Sequence, residues 1–167
     1  SAKGLFEELN WYETTGKMRK GLHMRVFVTG VAGQLGHDVV NELISRGYEA
    51  VGSDILPEYD LSVRYVSLDI TDRAAVEQTI EEIKPDAIVH CAAWTAVDAA
   101  EDEDKKDKVR AINTDGTKHL AEAAKKADAK FVYISTDYVF DGQGTKPWEP
   151  DCRDYAPLNV YGQTKLE

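Results

Sequence analysis

Cysteine is scarce: the 167-residue chain holds only Cys91 and Cys152. There is no CxxC and no Cys/His cluster at metal-ligand spacing, so neither a disulfide framework nor a metal is assigned. Cys91 lies in an apolar run and reads as a small buried hydrophobe. No apolar stretch reaches the roughly 18 residues of a membrane span, and there is no secretory h-region. A reduced, cytoplasmic setting away from membranes is the default expectation. Positive charge is also short, with 20 Lys and Arg against 30 Asp and Glu, a net charge of −10. Phosphate binding along a nucleic acid relies on clustered Lys and Arg, so nucleic acid is not an expected partner. Part of the acidity is local, in Asp98 and Glu101–Asp104, answered by Lys105, Lys106 and Lys108. That stretch reads as a solvated loop or helix start.

What is present is ordinary for one buried globular domain, with 43% hydrophobic and 30% charged residues. Residues 1–23 stand outside the pattern that follows. Leu5, Phe6, Leu9 and Tyr12 could line a short helix, which Thr14-Thr15-Gly16-Lys17 would break. The segment reads as an expression remnant or the tail of a preceding domain, with a docking arm as the alternative. From Met24 on, apolar runs and helical patterns alternate. Strands are expected at Arg25–Thr29, Tyr48–Ser53, Arg64–Leu68, Asp86–Ala92 and Lys130–Ser135. Helices are expected at Gln34–Arg46, stopped by Gly47, and at Asp72–Ile83, with Thr71 as N-cap. A long helix is expected at Lys106–Ala127, and Pro157 suits the first turn of a last helix reaching Glu167. Strands that are apolar throughout and separated by helices imply an α/β fold, a doubly wound, Rossmann-like parallel sheet covered on both faces.

The first strand opens into Thr29-Gly30-Val31-Ala32-Gly33-Gln34-Leu35-Gly36. Gly30, Gly33 and Gly36 follow a variant of the dinucleotide fingerprint. One glycine makes the tight turn, one lets backbone approach a pyrophosphate, and one lets helix and strand pack. Phosphates then sit at the positive helix start near Gln34 and Leu35. Asp54 ends the second strand, where a carboxylate accepts from the adenosine ribose and repels a 2′-phosphate. That favours NADH over NADPH; the alternative is a plain turn residue. Asp69 and Ile70 could flank the adenine, or Asp69 could begin the next turn.

The fifth strand ends Ser135-Thr136-Asp137-Tyr138, placing hydroxyls at the crevice where strand ends meet a ligand. Tyr161 and Lys165 stand at i and i+4 on one helix face. A phenol's ordinary pKa is near 10, and a neighbouring ammonium lowers it. Tyr161 can then give its proton to an alkoxide as hydride arrives, while Lys165 holds the nicotinamide ribose.

The order TGxxGxxG, Ser/Thr, YxxxK resembles the extended short-chain dehydrogenase/reductase superfamily. Cys91–Asp98, Ala111-Ile112-Asn113 and Ser135–Gly142 (STDYVFDG) resemble the dTDP-4-dehydrorhamnose reductases. The resemblance covers residues 24–167. It implies reduction of the 4-keto group of dTDP-4-dehydro-L-rhamnose, with NADH or NADPH as cofactor and a dTDP-sugar as partner. Oligomeric state, including a homo-oligomer, stays open. By the resemblance Thr136, Tyr161 and Lys165 are catalytic, and Thr95 and Tyr138 touch substrate. Ala92 and Ala93 pass near the nicotinamide, and Asn113 supports the site backbone. Dehydratases resemble Thr-Asp-Glu at the fifth strand end; here Tyr138 replaces that Glu, removing the base. Epimerases lack YVFDG. A rival of another class is a non-catalytic, dinucleotide-binding regulatory subunit, like that of methionine adenosyltransferase.

Other residues carry plainer readings. His90, in an apolar strand, reads as a satisfied core histidine. His37 reads as an exposed helix residue, with a phosphate approach as the alternative, and no partners are evident for His23 and His119. Trp94 and Trp148 could border the substrate crevice. The Gly144–Pro150 loop is either a mobile lid or a rigid turn. The chain stops within a helix with no strand after it. The 167 residues are therefore expected to carry the cofactor site without the substrate half, and to turn over little by themselves.

Overall fold

The computed structural model describes residues 24–167. Leu5, Phe6, Leu9, Tyr12, residues 14–17 and His23 lie outside the described residues. Five parallel strands form one sheet in the order β3-β2-β1-β4-β5. They are β1 (Arg25–Thr29), β2 (Glu49–Asp54), β3 (Arg64–Ser67), β4 (Ala87–His90) and β5 (Lys130–Tyr133). Helices α1 (Gln34–Ser45) and α2 (Arg73–Ile83) connect the early strands. Between β4 and β5 run α3 (Lys106–Arg110), a π-helical stretch (Ala111–Gly116) and α4 (Thr117–Lys126). Helix α5 (Val160–Leu166) follows β5. No helix among the described residues is long and apolar enough to cross a membrane.

The period-two alternation of β1 sorts the core into two layers. Val26 and Val28 pack on one face with Val39, Val40 and Leu43 of α1. Phe27 packs on the other with Val76, Ile80 and Ile83 of α2 and Leu120, Ala123 and Ala124 of α4. Both faces of the inner strands are therefore apolar, as continuous hydrophobic runs require. The chain builds outward through β2 and β3, then returns to the opposite side of β1 as β4. That reversal opens a crevice at the carboxyl ends of β1 and β4.

Element existence follows the sequence, and the edges differ for local reasons. β4 and β5 each end two residues before the expected limits of Ala92 and Ser135. Helix α2 is capped by Asp72, which accepts from Ala75 N at 3.1 Å, not by Thr71. Thr71 is already committed: its N–H and hydroxyl both donate to Asp69 Oδ1, at 2.9 and 2.7 Å. The long helix after β4 is interrupted by the π turn. There Gly116 lies so close to Ile70 that a Cβ would come within 2.7 Å of Ile70 Cγ1. Pro157 precedes α5 without entering it. Asn159 is the N-cap, accepting from Gly162 N at 2.7 Å. An Asn ahead of an apolar helical face is itself a start signal, and it outranks the proline.

The glycines of the β1–α1 turn do different work. Gly30 has φ +73°, and a Cβ there would lie 2.6 Å from Ala92 N. A Cβ on Gly36 would lie 2.2 Å from the Gly30 carbonyl oxygen, whereas one on Gly33 would meet that oxygen at 3.3 Å. Gly36→Ala should therefore lower stability in urea unfolding by about 2–3 kcal/mol through overpacking against backbone. Gly33→Ala should stay within about 1 kcal/mol of the parent.

Candidate active site

The glycine turn meets two other elements. Ala32 N donates to Asp54 Oδ2 at 3.0 Å, and Ile55 N to Asp54 Oδ1 at 2.8 Å. Asp54 is thus both a brace for the turn and a partly exposed carboxylate at the crevice edge. Helix α1 begins with no side-chain cap bond and no acidic residue in its first turn. Its N-terminal N–H groups and positive dipole end have no built-in anion. Gln34 and Leu35 are exposed there, beside the accessible Gly33. Free donors, a missing Cβ and the absence of acid fit a pyrophosphate.

Of the two residues expected to flank an adenine, each has a structural task. Asp69 organises the turn before α2 through Thr71. Ile70 is buried, packed in the core shared by α2 and α4. A contact to an adenine there falls to the backbone or to Asp69, because the Ile70 side chain is spent on packing. The nearby His119, for which the sequence offered no partner, bonds the Ile70 carbonyl through Nδ1 at 3.1 Å.

His90 fixes the centre of the crevice. Thr117 Oγ1 donates to the Asn113 carbonyl at 2.6 Å, so it accepts from His90 Nε2 at 3.0 Å. Nδ1 then accepts from Thr29 Oγ1 at 2.7 Å, and that oxygen accepts from Ala92 N at 3.3 Å. The pattern assigns the neutral Nε2–H tautomer. Burial holds His90 far below its ordinary value, at about 3, with the Lys165 charge adding to the effect. It is a satisfied core histidine, and it steadies Ala92. Ala92 and Ala93 are half-buried beyond it, and Thr95 is exposed.

Asn113 ties this segment to α5. It is 2% exposed. Its Oδ1 accepts from Trp94 N at 2.8 Å, and its Nδ2 donates to the Trp94 carbonyl and to Thr164 Oγ1, at 3.2 and 3.1 Å. The π turn allows this reach by rotating Asn113 out of the α-helical succession. Helix α5 is held further by Glu101 Oε1, which accepts from Val160 N at 2.6 Å. Thr114 donates to the Thr164 carbonyl at 3.1 Å, and Arg110 pairs with Glu167. A Cβ on Gly162 would lie 2.2 Å from the Tyr138 carbonyl, so α5 sits directly against the end of the fifth-strand segment.

That contact gathers Thr136, Tyr138 and Tyr161. The Tyr138 and Tyr161 rings meet edge to face at 5.8 Å. Burial raises the Tyr161 phenol above its usual value, a hydrogen bond with Thr136 opposes this, and Asp137 and Tyr138 add to the rise. Burial thus outweighs the lowering expected from Lys165; the Lys165 ammonium lies over the Tyr133 ring, 4.1 Å from its centroid. Lys165 is 7% exposed; burial lowers its amine to about 8, partly offset by Cys91. The Cys91 thiol is pushed up to about 11 by burial, hence protonated and unreactive at neutral pH. Cys91 is only partly buried, short of the full burial its apolar run suggested.

The Gly144–Pro150 loop is anchored. Trp148 stacks on Phe140 at 4.5 Å and 11°, and Tyr155 lies against the same ring at 5.5 Å. Sequence reasoning missed Glu101, Asn159, Thr117 and Tyr133. Of these only Asn159 carried a local signal; the others act across the fold.

The fold and crevice define a Rossmann-like domain of the reductase and epimerase class. The chain belongs to the RmlD substrate binding domain family, whose model matches residues 24–167. It is 41% identical over 143 residues to a dTDP-4-dehydrorhamnose reductase of Streptomyces griseus, covering 84% of this chain and 42% of that protein. It is 37% identical to methionine adenosyltransferase 2 subunit beta of Pongo abelii, covering 86% and 41%. The crystal structure of a Bacillus anthracis dTDP-4-dehydrorhamnose reductase in complex with NADP matches with TM-score 0.76 and 38% identity, over 89% of this chain and 48% of that one. The chain thus spans less than half the length of these relatives.

His90 gives a pH prediction. Between about pH 3 and its ordinary 6.5, the unfolded chain binds a proton that the folded chain refuses. Its neutral burial is free of that penalty above 6.5, and stability falls as pH drops below it, at about 1.4 kcal/mol per unit. Between pH 6.5 and 5, urea unfolding of the parent should lose about 2 kcal/mol more than that of His90→Gln.

Proposed function

We propose that this segment is the cofactor-binding and proton-donating part of a sugar-nucleotide reductase. Its reaction is reduction of the 4-keto group of dTDP-4-dehydro-L-rhamnose to dTDP-L-rhamnose. The observation that carries this reading is the hydrogen-bonded pair of Thr136 and Tyr161, one helical turn from buried Lys165, at the end of a crevice whose other end is an anion-ready glycine turn. The similarity to dTDP-4-dehydrorhamnose reductases supports this choice of sugar.

In this reading Gly30, Gly33, Gln34, Leu35 and Gly36 hold the pyrophosphate of NADH or NADPH. Asp54 receives the adenosine ribose, and its charge weighs toward NADH. Asp69 and the Ile70 backbone border the adenine, and Ala92 and Ala93 the nicotinamide. The cofactor supplies hydride. Tyr161 gives its phenolic proton to the sugar oxygen, and Thr136 orients that oxygen by hydrogen bonding. A phenol held above its ordinary value stays protonated before reaction, as a general acid must. Lys165, with an amine near 8, holds the nicotinamide ribose and loads charge beside the phenolate left behind. Thr95 and Tyr138, both exposed at the crevice, touch the sugar nucleotide.

A second reading, a dinucleotide-binding regulatory subunit without turnover, is favoured by the similarity to methionine adenosyltransferase 2 subunit beta. Two measurements separate them. NADH fluorescence titration should show saturable binding, weakened about tenfold or more in Gly33→Ala while the fold stays intact; no saturation would remove the cofactor claim. The full gene product should oxidise NADH with the 4-keto sugar nucleotide, and Tyr161→Phe should lower kcat by about 10²–10⁴-fold. Unchanged turnover in that variant would overturn the proton-donor role, and no turnover in the parent would favour the regulatory reading.

A further inference from the structure

One polar residue from each of four strands lines up across the sheet just before the crevice. In register, Ser53 of β2 stands beside Thr29 of β1, Thr29 beside His90 of β4, and His90 beside Tyr133 of β5. Thr29 and His90 are joined by a 2.7 Å hydrogen bond. The His90 and Tyr133 rings stack with centroids 6.1 Å apart at 26°. At the outer end of the row Tyr133 turns to α5. Its hydroxyl donates to the Lys165 carbonyl at 3.1 Å, and the Lys165 ammonium lies over the same ring, 4.1 Å from its centroid.

We propose that Tyr133 is a positioning residue for Lys165: its ring face is the seat of the ammonium, and its hydroxyl ties the backbone of the same lysine. The proposal rests on the reading of Lys165 as the ribose-holding amine.

The argument is one of solvation and geometry. A long flexible amine buried to 7% exposure has lost most of its water. Burial of an ammonium is costly unless something replaces that water. The negative face of an aromatic ring does so directionally within about 6 Å. The Tyr133 ring cannot swing away easily, because His90 backs it and His90 is pinned through both nitrogens. The titratable groups facing the amine from the packed elements are Cys91 and His90 after and within β4, and Tyr133 on β5. Tyr161 shares its helix. Cys91 and His90 are neutral at pH 7, so neither supplies a counter-ion. The ring face is therefore what keeps a charged lysine tolerable there.

The test reads Lys165 itself. The side-chain titration of Lys165 is followed by NMR in lysine-labelled protein without cofactor or sugar, its signal assigned with Lys165→Met. Tyr133→Phe keeps the ring and removes the hydroxyl. Pentafluorophenylalanine at position 133 keeps the shape and reverses the charge distribution of the ring. The midpoint should stay within about 0.2 unit in Tyr133→Phe and fall by about half to one unit in the fluorinated protein. NADH affinity should fall at least threefold in the fluorinated protein relative to Tyr133→Phe. Equal midpoints in the two proteins would overturn the proposal. Because the titration needs no ligand, its failure is distinct from a failure of the reductase reading, which would appear as absent NADH binding or turnover with the titration shift intact.

Discussion

Backbone meeting backbone without an intervening side chain is the constraint on which the site depends. At Gly30 and Gly36 the first strand, the first helix and the segment after β4 come together, with no room for a Cβ at either glycine. That contact sets the depth of the crevice and leaves the N–H groups of α1 facing it. Asp54 braces the turn from β2, so the carboxylate at the end of the second strand holds the glycine turn in shape.

The opposite wall is built differently. Helix α5 is tied to the rest of the domain at its start and along its buried face. Asn159 and Glu101 cap its start, Asn113 and Thr114 bind its middle, and Tyr133 and Arg110 hold its last turn. Asn113 is the link between walls, since the same amide fixes Trp94 on the β4 side. A change in α5 and a change in the β4 loop should therefore couple, as contacts within one hydrogen-bond network do.

Much of this was legible in the linear sequence. The apolar runs of Arg25–Thr29 and Asp86–Ala92 read as buried parallel strands, the second ending at His90 in the structure, and Gly30, Gly33 and Gly36 opened a helix as expected. His90 was readable as a satisfied histidine because an apolar strand leaves a charged imidazole no water. The errors were at places where two local signals competed. Thr71 and Asp72 both suit an N-cap, and only the prior engagement of Thr71 by Asp69 decides between them. Pro157 and Asn159 compete in the same way before α5. The π turn had no signal, because it arises from the fit of Asn113 to Trp94 and of Gly116 to Ile70.

The sequence by itself determined the alternation of strands and helices, the glycine turn, and the pairing of Tyr161 with Lys165 on one helical face. These follow from periodicity and residue type, which are local properties. Only the tertiary structure decided where the lysine points. An i,i+4 spacing brings two side chains to the same face, but burial and the ring of Tyr133, arriving from a strand far away in the chain, draw the ammonium to a different partner. The protonation of Tyr161, Lys165, Cys91 and His90 was decided there too, because desolvation depends on everything packed around a group and on nothing written beside it.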